Sequence, residues 1–157
     1  MKQFLELFNP LPGNSYLLVS TKIDKIADEL YTKIKSVDGE LKIALYGDDD
    51  FPNATKLQHI DSLDKPFKAK PRDNDIVIFK DIFYLHANKE MLLKIAYQTL
   101  ANAAEIIIAE KKSLLDIEKT LQLLEKNEYR AANHIGDILE GYDIFVAKKM
   151  HMWGNGL

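Results

Sequence analysis

Two groups of polar side chains in this sequence could do chemistry. Residues 48–50 form a triplet of aspartates, and carboxylate oxygens are the ligands that Ca²⁺ and Mg²⁺ prefer. The second group combines Asp81, Tyr84 and His86, in which the imidazole could act as a general base near neutral pH. Ordinary alternatives stay open for both groups. The triplet could be a solvated acidic loop, and His86 could be a partly buried, hydrogen-bonded residue.

A basic segment lies between these groups. Lys65, Lys68, Lys70 and Arg72 surround Phe67, and aspartates flank the whole segment. Proteins that bind nucleic acids are usually basic, whereas this chain has a formal net charge of −3. The composition therefore predicts no nucleic-acid partner.

Several kinds of site are missing from the sequence. The chain has no cysteine, which excludes disulfides, thiolate metal sites and cysteine nucleophiles. It also has no P-loop, no zinc-ligand spacing, no EF-hand pattern and no Ser-His-Asp arrangement. No metal site is predicted on these grounds.

The spacing of apolar residues predicts the elements that would position these groups. Periodic apolar stripes indicate helices, and unbroken β-branched runs indicate strands buried on both faces. The predicted helices cover about 20–37, about 89–101 and a segment that Ser113 opens together with Asp116. The third helix is predicted to bury Leu114, Ile117, Leu121 and Leu124. The predicted strands are 41–46, 56–60, 76–79, 105–110, 131–139 and 142–150. Residues 61–74 are predicted to be a loop.

This order predicts an α/β protein. Strands that alternate with helices form a parallel sheet, and the last two strands form an antiparallel pair. Ile78 and Ile107 should then be almost wholly buried. A length of 157 residues fits one domain over residues 1–157.

The chain is expected to be soluble and cytoplasmic. Its longest purely apolar run is only Ile106 to Ala109, far below the roughly 20 residues that a membrane helix needs. No secretion signal is visible at the start of the chain. Trp153 near the end could mark a subunit contact, so a homo-oligomer is an open alternative.

The second half of the chain resembles class I S-adenosylmethionine-dependent methyltransferases. Residues 73–86 are similar to the fourth strand of that family and its following loop: an acidic residue, four apolar residues and a stretch that ends in Leu-His. Residues 89–100 resemble the next helix, 105–110 the fifth strand with its terminal acid, and 142–149 the closing strand. The resemblance implies a three-layer, Rossmann-like, mainly parallel sheet with an antiparallel C-terminal strand pair. The predicted fold class is thus a truncated, methyltransferase-like α/β fold.

The same resemblance suggests site residues. In the family a glycine-rich loop follows the first strand and meets the cofactor, and here strand 41–46 is followed by a loop whose one glycine is Gly47. Asp61 resembles the acid at the end of the family's second strand, which holds the ribose hydroxyls, although a turn residue is the alternative. Asp81, Tyr84 and His86 lie where the family often places substrate-side groups.

Two hypotheses about function follow. In the first, the domain keeps the sheet as a scaffold, needs no cofactor, and binds a protein or a small molecule. In the second, it is an active methyltransferase with an atypical cofactor loop and uses S-adenosylmethionine. The poor match of residues 47–52 to a glycine-rich loop favours the first hypothesis, because side chains there would keep the backbone away from a cofactor.

Overall fold

The computed structural model describes residues 1–150, so Trp153 and the rest of 151–157 lie outside the described part of the chain. The described residues form four helices: α1 (Lys2–Leu5), α2 (Lys25–Lys35), α3 (Lys89–Thr99) and α4 (Ile117–Lys126). They also form seven strands: β1 (Ser15–Ser20), β2 (Glu40–Leu45), β3 (Lys56–His59), β4 (Asn74–Lys80), β5 (Leu100–Lys111), β6 (Tyr129–Ile135) and β7 (Tyr142–Lys149). No helix among residues 1–150 is long and apolar enough to cross a bilayer.

The seven strands form one sheet in the order β3-β2-β1-β4-β5-β7-β6. The first five strands are parallel, and β7 runs antiparallel between β5 and β6. Ile78 on β4 and Ile107 on β5 are 0% and 1% exposed. The predicted fold class, with its antiparallel strand pair at the end of the chain, is confirmed.

One strand was missed, and this changes the strand numbering. Residues 15–20 form a buried strand in the interior of the sheet, between β2 and β4, although the sequence prediction began the sheet at 41–46. The run is short and directly follows the turn-forming segment 9–13, so sequence pattern alone did not separate it from a loop. Strand 41–46 is therefore the second strand and not the first. Asp61 follows the third strand and not the second.

Two apolar clusters cover the two faces of the sheet. On one face, α3 and α4 pack against the strands together with Phe67 from the loop after β3. On the other face, α2 and the aromatic side chains of the N-terminal segment pack against the sheet. The connections 46–55 and 60–73 contain no helix, so loops span the β2–β3 and β3–β4 crossovers.

Local sequence explains where the helices begin. Asp24, Asn88 and Asp116 are N-caps whose side chains accept hydrogen bonds from the first-turn amides of α2, α3 and α4. Helix α2 is shorter than the predicted 20–37 because its first residues belong to β1 and the loop after it. The prediction that Leu114 and Ile117 are buried is wrong. Each is 39% exposed. Leu114 lies before α4 begins, and α4 buries Thr120 and Leu124 rather than its first residue, Ile117.

Candidate functional site at the switch point

The order in which the chain adds strands to the sheet reverses between β1 and β4. The chain runs from β1 outward through β2 and β3, then crosses back to β4 on the other side of β1. In open α/β sheets, ligands bind beyond the carboxyl ends of the strands at such a switch point. We call the rim formed by these strand ends the carboxyl edge. Ser20 ends β1 and Lys80 ends β4 at this position, as paired neighbours.

Four side chains form an ion cluster at the switch point, which we call the switch-point cluster. The Lys80 ammonium lies 2.7 Å from an Asp24 carboxylate oxygen and 2.6 Å from an Asp81 carboxylate oxygen. The Tyr142 hydroxyl donates to Asp81 at 2.8 Å, and the Lys80 nitrogen lies 4.9 Å from the centre of the Tyr142 ring. The cluster therefore ties the start of α2, the end of β4 and the start of β7 together.

The backbone conformation of Asp81 helps to position the switch-point cluster. Asp81 has a φ of 58°, a left-handed conformation that aspartate adopts more easily than most residues. Its carbonyl oxygen accepts a hydrogen bond from the Thr21 hydroxyl at 2.9 Å. The turn after β4 is thus held against the loop after β1.

Burial and charge oppose each other at Lys80, whose side chain is only 4% exposed. Burial alone would lower the pKa of Lys80, but the hydrogen bonds and charges of Asp24 and Asp81 outweigh it and raise the pKa. Burial, followed by the hydrogen bond to Asp81, raises the pKa of Tyr142. The lysine is held as a cation and the tyrosine as a neutral hydrogen-bond donor.

The loop after β1, residues 21–24, occupies the position where the family's cofactor loop would stand, and it contains no glycine. One backbone amide of this loop and one of the first turn of α2 are bonded to carboxylates of the same chain. The Ile23 amide donates to Asp49 at 2.9 Å, and the Ile26 amide donates to Asp24 at 3.0 Å. Two of the donors that this helix N-terminus could offer to an anionic ligand are therefore satisfied by side chains of the chain itself.

Gly47 packs against this loop. A Cβ atom at position 47 would lie 2.6 Å from the Thr21 carbonyl oxygen, so only glycine permits this close approach. The Gly47 carbonyl oxygen is bonded to the His59 ring at 2.8 Å. Gly47 thus lets the loop after β2 close over the end of β1.

A small cavity of about 240 Å³ lies beside the cluster at the carboxyl edge. Asp81, Tyr84, Glu110 and Thr21 line it, among others. Glu110 is 3% exposed and accepts a hydrogen bond from the Tyr84 amide at 3.0 Å. Burial raises the pKa of Glu110, and the nearby charge of Asp81 adds to the increase. The cavity therefore contains a carboxyl group whose ionised form is less favoured than that of an exposed carboxyl group.

The structure brings together only part of the predicted site. Asp81 and Tyr84 share the cavity, but His86 is 1% exposed and does not line it. One His86 ring nitrogen accepts from the Asn88 amide at 2.9 Å, and the other lies 3.1 Å from the Lys65 carbonyl oxygen. Both ring nitrogens of His86 thus have hydrogen-bond partners. This agrees with the alternative interpretation of His86 as a buried, hydrogen-bonded residue rather than a general base.

Asp61 lies away from the cluster, whereas the acidic triplet reaches the loop after β1 through Asp49, which accepts the Ile23 amide. Asp61 follows the outermost strand β3, and its side chain, 84% exposed, pairs with Lys65 at 2.8 Å. The hydrogen bond from Lys65 and its positive charge lower the pKa of Asp61. By strand order, the triplet 48–50 is the acidic segment that follows the second strand. Within residues 1–150, no group of three His, Asp or Glu side chains could hold a metal ion.

Sequence reasoning missed the role of Lys80, Tyr142 and Glu110 at the switch point. A lysine directly after the apolar run 76–79 of β4 was the signal for Lys80, since a charge in a buried strand requires a partner. Its partners Asp24 and Tyr142 lie 56 and 62 positions away in the chain. No local pattern could have identified them.

Comparison with known proteins finds similar solved structures but no match to a family model or a curated sequence. Among solved structures, the chain is similar to a complex of the Haloferax volcanii Trm112 methyltransferase activator with a methyltransferase. That match has a TM-score of 0.74 and 10% identity over 96% of this chain and 88% of the other.

Two further structures extend this likeness. An S-adenosylmethionine-dependent methyltransferase from Aquifex aeolicus matches with a TM-score of 0.72 and 13% identity, over 95% of this chain and 89% of that one. The CurJ carbon methyltransferase matches with a TM-score of 0.71 and 12% identity over 93% of this chain, which spans 51% of the CurJ structure. At such identities the likeness is one of fold. The chain has the Rossmann-like fold of class I S-adenosylmethionine-dependent methyltransferases.

Proposed function

We propose that this chain is a methyltransferase-fold domain that does not use S-adenosylmethionine and acts as a binding or scaffolding protein. The observation that carries the proposal is the switch-point cluster. Lys80, Asp24 and Asp81 bridge the place between β1 and β4 where a ligand of an open α/β sheet would sit. A cofactor there would have to break a buried ion pair.

The loop after β1 supports the same conclusion. A side chain at every position from 21 to 24 keeps the backbone from the close approach that glycines permit. Asp49 already accepts the Ile23 hydrogen bond, and its charge would repel the carboxylate of the cofactor. The adjacent cavity of about 240 Å³ lies below the 300–1,000 Å³ that is usual for small-molecule sites.

A partner protein fits this proposal. The solved complex with the Trm112 activator is an example of a methyltransferase fold that binds another protein. On the present chain, Tyr84, Leu85 and Leu114 border the cavity with exposures of 44%, 51% and 39%. Exposed apolar side chains that lie next to one another are typical of binding surfaces.

The second candidate is an active methyltransferase with an atypical pocket. The observation that favours it is the position of Asp81, Tyr84 and the buried Glu110 around one cavity at the carboxyl edge. Methyl transfer needs mainly a close, in-line placement of the acceptor, which such a cavity could provide. In that case Asp48 or Asp61 would hold the ribose, and Gly47 would lie beside the cofactor.

Isothermal titration calorimetry with S-adenosylmethionine and S-adenosylhomocysteine distinguishes the two candidates. A known methyltransferase of this fold, titrated in parallel, shows that the ligands are intact. Tyr84→Ala tests the cavity, and Lys94→Ala on the exposed side of α3 is the matched control. A thermal-shift series gives a second readout, since a native-state ligand at a hundredfold excess over Kd stabilises by about 2.7 kcal/mol.

The proposal expects no saturable heat and no thermal shift with either ligand. A micromolar Kd for the unmodified chain would overturn it and favour the enzyme. Loss of that binding in Tyr84→Ala, with binding retained in Lys94→Ala, would then place the cofactor at the carboxyl edge.

A further inference from the structure

A larger cavity of about 430 Å³ opens near the opposite rim of the sheet, where the parallel strands begin. We call it the amino-edge cleft. It lies between β2, β3 and the loop 68–73, which covers this face where a crossover helix is lacking. Its position, away from the switch point, makes it independent of the proposal above.

A row of side chains leads from the core into this cleft. Val77, Leu17, Lys42 and Lys56 are paired in register across β4, β1, β2 and β3. Paired residues of neighbouring strands point to the same face of a sheet. The apolar core thus ends at Leu17, which lines the cleft, and the next two positions outward are lysines.

The positive charge of the cleft is only partly neutralised. Four lysines line it, and the one acidic side chain among the lining residues is Asp73. Asp73 pairs with Lys42 at 2.5 Å. Within residues 1–150, no carboxylate pairs with Lys56, Lys68 or Lys70. This concentration of positive charge contrasts with the net charge of −3 for the whole chain.

The rim of the cleft is held in place. The Gln58 side chain donates to the Lys68 carbonyl oxygen and accepts from the Lys68 amide, both at 2.8 Å. Phe67 is 2% exposed and contacts Phe79, with 5.9 Å between the ring centres. The Lys70 carbonyl oxygen accepts from the buried Thr99 hydroxyl. The cleft is thus a preformed site that combines charged and polar side chains with apolar residues such as Leu17, and small-molecule pockets likewise combine apolar surface with placed polar groups.

We propose that the amino-edge cleft binds a small organic anion, namely a molecule that carries a phosphate or carboxylate group on an apolar body. The anionic group would lie between Lys56, Lys68 and Lys70, and the apolar body would lie against Leu17 and the adjoining wall. Such a ligand supplies the negative charge that neighbouring lysines lack, and it buries apolar surface in the same step. The volume suits a molecule of this kind and not a folded domain.

The test titrates the ¹⁵N-labelled chain by NMR with four probes. Phenyl phosphate and hexanoate each combine an anion with an apolar body, and they distinguish a phosphate from a carboxylate ligand. Benzyl alcohol has an apolar ring without the charge, and inorganic phosphate has the charge without the ring. The proposal expects saturable shifts of cleft amides, such as those of Leu57 and Ala69, with at least one of the first two probes.

Substitutions then identify which charged side chains of the cleft contribute to anion binding. Lys56→Gln and Lys68→Gln should each weaken binding about fivefold, as expected for the loss of one partly exposed ion pair. Asp73→Asn should strengthen binding by a similar factor, because it frees Lys42. Lys94→Gln, at an exposed position on α3, is the matched control and should bind like the unmodified chain. Melting temperatures show that each variant remains folded.

Each outcome decides the proposal. Cleft shifts that are lost with added salt and follow the order of the variants support it. Three outcomes overturn it: no saturable shift with phenyl phosphate or hexanoate, equal binding of benzyl alcohol, or equal binding to all four variants. A single-stranded oligonucleotide that binds more tightly and shifts amides far outside the cleft would also overturn it, because the surface would then recognise nucleic acid.

Discussion

The charged side chains at the two edges of the sheet differ in burial and in ion pairing. At the carboxyl edge, Lys80 is buried and bonded to Asp24 and Asp81. At the amino edge, Lys56 and Lys68 are exposed around an open cleft and have no carboxylate partner among residues 1–150. A methyltransferase fold is expected to bind its ligand at the first edge, yet in this chain the cavity beside the switch point measures about 240 Å³, whereas the lysine-lined cleft at the second edge measures about 430 Å³.

This difference shows that the fold and the position of an available site are separate properties. Strand order determines where the switch point lies. Whether it is open depends on a few side chains after the strands, here Asp24, Lys80 and Asp81. An internal ion pair can occupy the switch point without any change in the order of the strands.

The largest expected effect comes from Lys80→Ala. Removal of the cation leaves Asp24 and Asp81 without their partner, and breaking a buried pair on one side typically costs about 3–5 kcal/mol. Urea denaturation should show this loss in the free energy of unfolding. The matched change Lys94→Ala at an exposed lysine of α3 should cost under about 0.5 kcal/mol.

A triple variant tests the cause of the loss. Replacing Lys80 by Met together with Asp24→Asn and Asp81→Asn removes all three charges, so most of the lost stability should return. A Lys80→Ala variant that lost less than about 1 kcal/mol would mean that the cluster is not a closed, buried unit. The contrast between the two edges would then be lost.

Sequence predicted the middle of the sheet well and its first strand not at all. Residues 76–79 and 105–110 are unbroken apolar, β-branched runs, and such runs have few alternatives to a buried strand. Residues 15–20 have serines at both ends and follow a segment with two prolines. They form a strand because β2 and β4 pair with them on both sides, which is tertiary information.

The candidate site was less predictable than the fold. Asp81 and Tyr84 were identified because a resemblance places functional groups after the fourth strand. The partners of Lys80 could not be identified, since they come from other elements far away in the chain. For the amino-edge cleft, the basic loop was visible in the sequence, but its proximity to Lys42 and Lys56 depends on how the loop folds back over β2 and β3.

Gly47→Ala should have the next largest effect. Its new Cβ atom would lie 2.6 Å from the Thr21 carbonyl oxygen, and a backbone atom cannot move aside as a flexible side chain could. We expect a loss of about 1–3 kcal/mol in the free energy of unfolding, as for other overpacked sites. Gly136→Ala, where the nearest atom lies at 3.9 Å, is the control. Equal stability of the two variants would show that the carboxyl edge is not tightly closed at this point.

Glu110→Gln should have a smaller effect of the opposite sign. Burial raises the pKa of Glu110, so the ionised form is disfavoured in the folded chain. The loss of stability caused by ionised Glu110 is absent below the ordinary carboxyl pKa. It grows as the pH rises from the ordinary pKa to the raised pKa, and it is fully present above the raised pKa. Glutamine keeps an oxygen that accepts the Tyr84 hydrogen bond. The variant should therefore be more stable at neutral pH, and its advantage should vanish in acid.

Thermal melts of this variant and the unmodified chain at several pH values measure the difference. Glu125→Gln, at an exposed position on α4, should show no such pH dependence. An advantage of Glu110→Gln that stayed constant down to acid pH would mean that the charge of Glu110 is not its cause. The cavity at the carboxyl edge would then hold an ordinary ionised carboxylate.

The smallest effect on stability is expected at the amino edge. Lys56→Gln and Lys68→Gln together should change the free energy of unfolding by no more than about 0.5 kcal/mol, because neither ammonium has an ion pair to lose within the described part of the chain. A slight gain would follow from weaker repulsion among the lysines of the cleft. Urea denaturation at low and high salt measures both effects, since salt should remove the gain by screening the repulsion. A loss above about 1 kcal/mol would make these lysines structural, as Lys80 is, and would mean that the two edges do not differ in how their charges are held.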